Sequence, residues 1–140
     1  MSVDFLDSNV FIYLFDPTDE RKRTIARRLV DSAIETDRGC ISFQVVQETL
    51  RVITGKLAKP ATAEAASAFL EHSLIPLWRV MPSGPLYAAA LRIQTRWQLA
   101  FYDSLIVAAA LEAGCKRLLS EDLQHGQRIE GLRIENPFKA

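Results

Sequence analysis

The chain reads as an α/β fold, a three-layer α/β/α sandwich around a four- or five-stranded, mainly parallel sheet. Short apolar runs at residues 3–6, 39–42, 77–81, 117–120 and 132–135 alternate with longer helical patterns from end to end, the sequence mark of a parallel sheet covered by helices. One of those helices, 103–113, is apolar enough that it must be largely buried. Composition supplies the third observation: 140 residues, 49% hydrophobic and 24% charged, match one ordinary globular domain, 1–140, long enough to bury a core of its own.

Each element has a local cause. Residues 3–6 form the first strand. A short helix over about 9–15 follows and ends at Asp16-Pro17, because the residue before a proline is pushed out of helical geometry. Thr18 or Asp19 caps a charged amphipathic helix with Ile25, Leu29, Ala33 and Ile34 facing inward. After the second strand, 39–42, Ser42 caps a helix from 43 to about 54, and Gly55 ends it. Pro60 and the alanine-rich run behind it predict a helix to about residue 74, and 77–81 a third strand. Gly84-Pro85 opens a helix that carries Tyr87, Leu91 and Ile93 toward Trp97. Asp103 caps the apolar helix and Gly114 stops it. Strands at 117–120 and 132–135 complete the pattern, with no internal repeat or low-complexity tract.

Charge and composition narrow the function classes. Lys+Arg and Asp+Glu both total 17, so any attraction to nucleic acid must come from local basic patches rather than net charge. Asp4 and Asp7 interrupt the apolar opening and no cation precedes it, which argues against a secretory signal; the later apolar run at 105–111 is too short to cross a bilayer. A soluble, cytoplasmic protein is expected. Cys40 and Cys115 lie outside any C-x-x-C pattern and are expected to be buried free thiols.

Asp7, Glu48, Asp103 and Asp122 carry the chemistry. Each falls where a strand ends or beside a helix, and no lysine sits next to any of them. Loops after the carboxyl ends of parallel strands converge on one edge of a sheet, so residues this far apart can meet there. Singly, each has an ordinary explanation: Asp7 and Asp103 as helix caps, Asp122 as a turn residue. Glu48 lies nearly opposite its helix's apolar stripe of Phe43, Val46, Leu50, Ile53 and Leu57, as a solvated side chain would. Together they point to a carboxylate pocket for a divalent ion. Two carboxylates about 5 Å apart repel by roughly 3 kcal/mol at an effective dielectric near 20, so four in one pocket need a cation. Oxygen ligands without a His or Cys cluster suit Mg²⁺ or Mn²⁺ rather than zinc. Such a site handles phosphodiesters by metal-assisted hydrolysis, which predicts 5′-phosphate and 3′-hydroxyl products.

The chain resembles the PIN domain of small prokaryotic ribonucleases, above all the toxins of VapBC toxin–antitoxin pairs. The resemblance rests on Phe5-Leu6-Asp7-Ser8-Asn9-Val10, on Tyr102-Asp103-Ser104-Leu105-Ile106-Val107-Ala108-Ala109-Ala110, on Leu118-Leu119-Ser120-Glu121-Asp122 and, more loosely, on Val46-Gln47-Glu48-Thr49-Leu50. It departs from the common toxin pattern at Leu123-Gln124-His125-Gly126. The resemblance implies strand order 3-2-1-4-5, an acidic metal site of Asp7, Glu48, Asp103 and Asp122, and supporting polar positions at Asn9 and Ser120. It also implies endoribonuclease activity with Mg²⁺ or Mn²⁺, a homodimer, and a small antitoxin that blocks the pocket. Three alternatives stand beside this reading: an inactive PIN-fold binding module, a housekeeping PIN nuclease in RNA processing, and a phosphatase or receiver-like domain with Asp7 as nucleophile. The last lacks a D-x-D-x-T motif around Asp7.

RNA contacts are expected from basic side chains around the pocket, because the acids themselves repel phosphate. Arg21, Lys22, Arg23, Arg27 and Arg28 are the densest cluster, and a solvated helix face is their alternative. Arg92 and Arg96 suit RNA or a partner's acids equally. Trp78 and Trp97 belong to core or interface, and His125 to a surface loop.

Overall fold

The computed structural model describes residues 2–139. In chain order it contains β1 (Asp4–Leu6), α1 (Ser8–Ile12), α2 (Glu20–Thr36), β2 (Gly39–Ser42), α3 (Phe43–Gly55), α4 (Ala63–Phe69), β3 (Trp78–Val80), α5 (Gly84–Trp97), α6 (Phe101–Glu112), β4 (Arg117–Leu119), β5 (Arg128–Ile129) and β6 (Leu132–Glu135). Among the described residues the sheet has six strands in the order β3-β2-β1-β4-β6-β5. All pairings are parallel except β5 with β6.

The five expected strands stand in the expected order, with β6 in fifth place. The expectation of four or five strands missed β5, which has two residues and pairs back on β6. Glu130 and Gly131 join the two with φ of 51° and 90°, the pair of positive φ values that a two-residue type I′ hairpin requires. A two-residue strand has no periodicity to read.

Right-handed crossovers set the layers. The steps from β1 to β2 and from β2 to β3 run the same way along the sheet, so α2, α3 and α4 cover one face; the step back from β3 to β4 puts α5 and α6 on the other. Phe5, Leu118 and Ile134 lie side by side toward the core, all fully buried. Packing of α2 on β2 is close: a Cβ on Gly39 would come within 2.6 Å of the Ala33 Cβ. No helix joins β4 to β6; on the α2 face, Leu29 and Ala33 of α2 line a cavity with Arg117 and Leu119 of β4.

Several elements differ from their sequence reading. α1 ends at Ile12 rather than near Phe15, and a turn leads on to Asp16. The inner stripe of α2 is Ala26, Val30 and Ala33, with Ile25, Leu29 and Ile34 at its margins. The alanine-rich α-helix stops at Phe69 and gives way to a π-helical turn, Leu70–Leu74, and a 3₁₀ turn, Ile75–Leu77. Ser42 occupies the N-cap position of α3, but its hydroxyl makes no capping bond. α5 buries Leu86, Ala90 and Ile93 and leaves Leu91 exposed. Cys40 and Cys115 are buried free thiols, as expected. Trp78 and Trp97 pack against the core. No helix among the described residues is long and apolar enough to cross a membrane.

Candidate metal centre

The site forms where β1 and β4 end side by side. The Asp7 N–H donates to the Leu119 carbonyl at 3.0 Å, which extends the β1–β4 pairing one residue beyond β1, and the Ser120 N–H donates to the Glu135 carbonyl at 3.0 Å. Asp7 and Ser120 are thereby held at adjacent strand ends. Asp7 is 6% exposed. Its Oδ1 accepts from the Ser8 N–H at 2.7 Å and its Oδ2 from the Ser120 hydroxyl at 2.7 Å. Asp7 does stand at the N-cap of α1, but it takes the N–H of the very next residue, not the second or third N–H that a capping aspartate serves. Burial pushes its carboxyl from the usual 3.8 up to about 7, against the two hydrogen bonds, and the charges of Glu48 and Asp122 push the same way.

Glu48 is not the solvated residue its helical phase implies. α1 packs against α3 and widens the buried face to Val45, Val46 and Thr49, so Glu48 borders the interior. It accepts from the Ser8 hydroxyl at 2.9 Å and from Gln44 Nε2 at 2.9 Å. Gln44 also donates to the Tyr102 carbonyl at 3.1 Å, tying α3 to the start of α6.

Asp103 does not cap α6. The helix begins two residues earlier, at Phe101, with Ala100 at the N-cap, so Asp103 sits inside the first turn. Its carboxylate makes no hydrogen bond or ion pair among the described residues. Its pKa is raised by burial first, then by the charges of Asp122 and Glu48. Asp122 is exposed; its Oδ2 accepts from Asn9 Nδ2 at 3.2 Å, and its N–H donates to the Ser120 hydroxyl at 3.2 Å. Asn9 also reaches Ser120 Oγ at 3.4 Å.

Glu48 and Asp122 thus act on both Asp7 and Asp103 through their charge, and Asn9 and Ser120 link the start of α1 to the loop after β4. The donor set is all oxygen, which suits a hard divalent ion, and the buried Gln44 Oε1 beside Glu48 lacks a donor. Among the described residues, no group of three His, Cys, Asp or Glu side chains stands close enough together to hold an ion in these positions. Asp103 has no hydrogen-bond partner among the described residues, and the Asp122 carboxylate a single one at 3.2 Å.

Sequence reasoning missed three neighbours of the site. Lys22 pairs with Glu121, and Tyr13 donates to the same carboxylate; Glu121 sits between Ser120 and Asp122, and its N–H donates to Asn9 Oδ1 at 3.3 Å. Nothing in the spacing of residues 13, 22 and 121 signals this clamp. It takes Lys22 out of the free basic cluster, and Arg21 donates to the Phe138 carbonyl at 2.7 Å, which leaves Arg23, Arg27 and Arg28 exposed on α2. His125 lies in an exposed loop and accepts from the Asn136 N–H at 3.0 Å.

Known proteins share this architecture. The VapBC complex of Salmonella typhimurium, solved with bound DNA, is 23% identical, with 98% of this chain and 99% of that chain covered at a TM-score of 0.67. VapBC2 of Rickettsia felis, bound to a DNA fragment from its promoter, is 16% identical over 96% and 98% of the two chains at 0.68. The Mycobacterium tuberculosis toxin VapC20, described as cleaving the sarcin–ricin loop, is 20% identical over 85% and 91% at 0.61. No curated protein matches the chain. The sequence profile described as the PIN domain matches residues 5–128, a span holding all four acids, and the chain belongs to the PIN domain family.

Proposed function

We propose that this PIN domain is a Mg²⁺- or Mn²⁺-dependent endoribonuclease, the toxin of a type II toxin–antitoxin pair, and that Asp7, Glu48, Asp103 and Asp122 form its metal site. The observation that supports the reading is a buried Asp7 whose carboxyl is pushed up to about 7, with the charges of Glu48 and Asp122 acting on it and on Asp103 alike. An arrangement this unfavourable persists when a cation offsets it. The likeness to toxin–antitoxin complexes supports the toxin assignment.

Each residue has a role in that reading. Asp7 and Glu48 are pre-oriented, Asp7 by Ser8 and Ser120 and Glu48 by Ser8 and Gln44, so they form the rigid half of the site. Asp103 and Asp122 complete it. Asn9 and Ser120 are positioning residues that aim carboxylates without taking part in the reaction. A bound divalent ion would neutralise charge on the scissile phosphate and make a water acidic enough to attack it. A cognate antitoxin and a homodimer belong to the same reading; Tyr87 and Leu91, exposed on α5, offer apolar surface for association.

The test is cleavage of total RNA by the purified protein with Mg²⁺, with Mn²⁺ and with chelator. The expected result is ion-dependent cleavage leaving 5′-phosphate and 3′-hydroxyl ends, lost in a folded Asp103→Asn variant. Cleavage that survives chelation or that substitution overturns the assignment.

A further inference from the structure

At the end of the sheet opposite the acids, β4, β6 and β5 carry a row of arginines. Arg117 pairs in register with Arg133, and Arg133 with Arg128, so three guanidinium groups stand on adjacent strands with side chains on one face. Directly opposed like charges destabilise a sheet. Part of the repulsion is relieved within the fold: Arg117 bonds to Asp4 at 3.1 and 2.6 Å and to Glu135 at 2.6 Å, and Arg133 reaches Glu135 at 3.3 Å. Arg128 and the neighbouring Lys116 are exposed, and their side chains have no partner among the described residues. These four cations line a cavity of about 440 Å³ whose remaining wall is Ser2, Asp4 and Gly131. The cavity lies on the face of the sheet that Asp4, Arg117 and Arg133 share in register.

We infer that this basic cavity binds the phosphodiester backbone of single-stranded RNA, holding a stretch of substrate away from the cleaved bond. The inference rests on the nuclease reading given above and adds a surface to it. An excess of positive charge with two unpaired cations calls for an anion. The wall offers no apolar side chain, so an acidic protein segment would find no anchor of the kind that stabilises protein interfaces, whereas a phosphate backbone needs only charge and donors. The placement fits a strand leaving the acid pocket. Arg117 lies three residues before Ser120 on the same strand, about 10 Å at strand rise, and Arg128 two strands across, about 10 Å at strand spacing. The acid pocket repels phosphate, and this row on the same strands supplies the compensating charge.

The test uses the Asp103→Asn protein, so that RNA binds without being cut, and compares it with the same protein carrying Arg128→Ala and Lys116→Ala. Both substituted side chains are exposed and unpaired, so the fold should be kept; Arg117 is left in place. Binding of a labelled 20-nucleotide RNA and of a tetranucleotide is followed across salt concentrations. Two nucleotides on either side of the cleaved bond extend only about 7 Å at stacked spacing, too short to reach the row. The expected result for the 20-mer is an affinity about tenfold weaker at about 0.1 M salt, with the log–log salt slope shallower by about 1.4, at about 0.7 for each phosphate that is no longer neutralised; the tetranucleotide should be unaffected. Unchanged 20-mer affinity and slope overturn the inference, as does equal weakening of both RNAs. A protein that binds RNA through this row but cleaves none under any ion condition keeps the binding surface and loses the nuclease reading instead.

Discussion

The two ends of the β1–β4 pair carry charge in opposite ways. At the start of the strands, Asp4 on β1 meets Arg117 on β4 in register, and Glu135 and Arg133 on β6 complete a network of two acids and two arginines. Three residues further along each strand, Asp7 meets Ser120, and the charges that act on it come from Glu48 and Asp122, with no cation beside them among the described residues. The first network neutralises itself: Arg117 is held more firmly charged, chiefly by its hydrogen bonds to Asp4. The second does not, and burial pushes Asp7 up to about 7. Charges paired within the fold serve the fold; those left unpaired, the acids at one end and Arg128 and Lys116 beside the network at the other, are kept for something that binds.

The sharpest test of that contrast removes one acid at the unbalanced end. Asp103→Asn should lower kcat by about 10⁴-fold or more, the order of loss seen when one member of a catalytic unit goes, with an unchanged circular dichroism spectrum because its carboxylate bonds to nothing among the described residues.

A pH titration of stability would follow. Asp7 keeps its proton in the folded chain up to about pH 7 and releases it near 3.8 once unfolded. Over that window the folded state binds more protons, so the metal-free protein should lose stability as pH rises from about 4 to about 7, by up to about 4 kcal/mol. Thermal melts of Asp7→Asn should show a flatter profile and a higher Tm than the wild type at pH 8. A wild-type stability that climbs over the same window would break the comparison.

Ser120→Ala should have a smaller effect, a 10- to 100-fold loss of metal affinity or activity, as for other groups that orient a ligand. Calorimetry with Mn²⁺ would read it. At the balanced end, Arg117→Ala should cost about 1–2 kcal/mol, since its pairs are partly exposed and screened. It should lower Tm by a few degrees and leave kcat at saturating RNA unchanged, with any functional effect confined to KM. If Arg117→Ala instead damaged kcat while Ser120→Ala did not, the two ends would have to exchange roles.

Local signals carried much of the architecture. Gly39–Ser42 was legible to the residue, because a short apolar run between a charged helix and an amphipathic one has few other readings. Asp19 caps α2 through the Lys22 N–H at 3.0 Å, as its position predicts. The apolar run of α6 announced its own burial, from Ser104 to Ala110. Asp7, Asp103 and Asp122 stood out by lying at or beside strand and helix ends, whereas Glu48, Asn9 and Ser120 were reached through the family resemblance.

Other features belong to tertiary structure alone. Glu48 looked solvated because helical phase counts one buried face, whereas packing of α1 on α3 gave this helix a second. Asp103 looked like a cap because the helix was read from its apolar run, and only the chain's path placed the start at Phe101. The Lys22–Tyr13–Glu121 clamp and the arginine row join residues with no common spacing. By itself, the sequence determined which segments are strands and helices and which residues carry charge, because those follow from neighbours along the chain. Which charges meet, and whether they are paired or left opposed, was decided by strand order and register, which only the folded sheet sets.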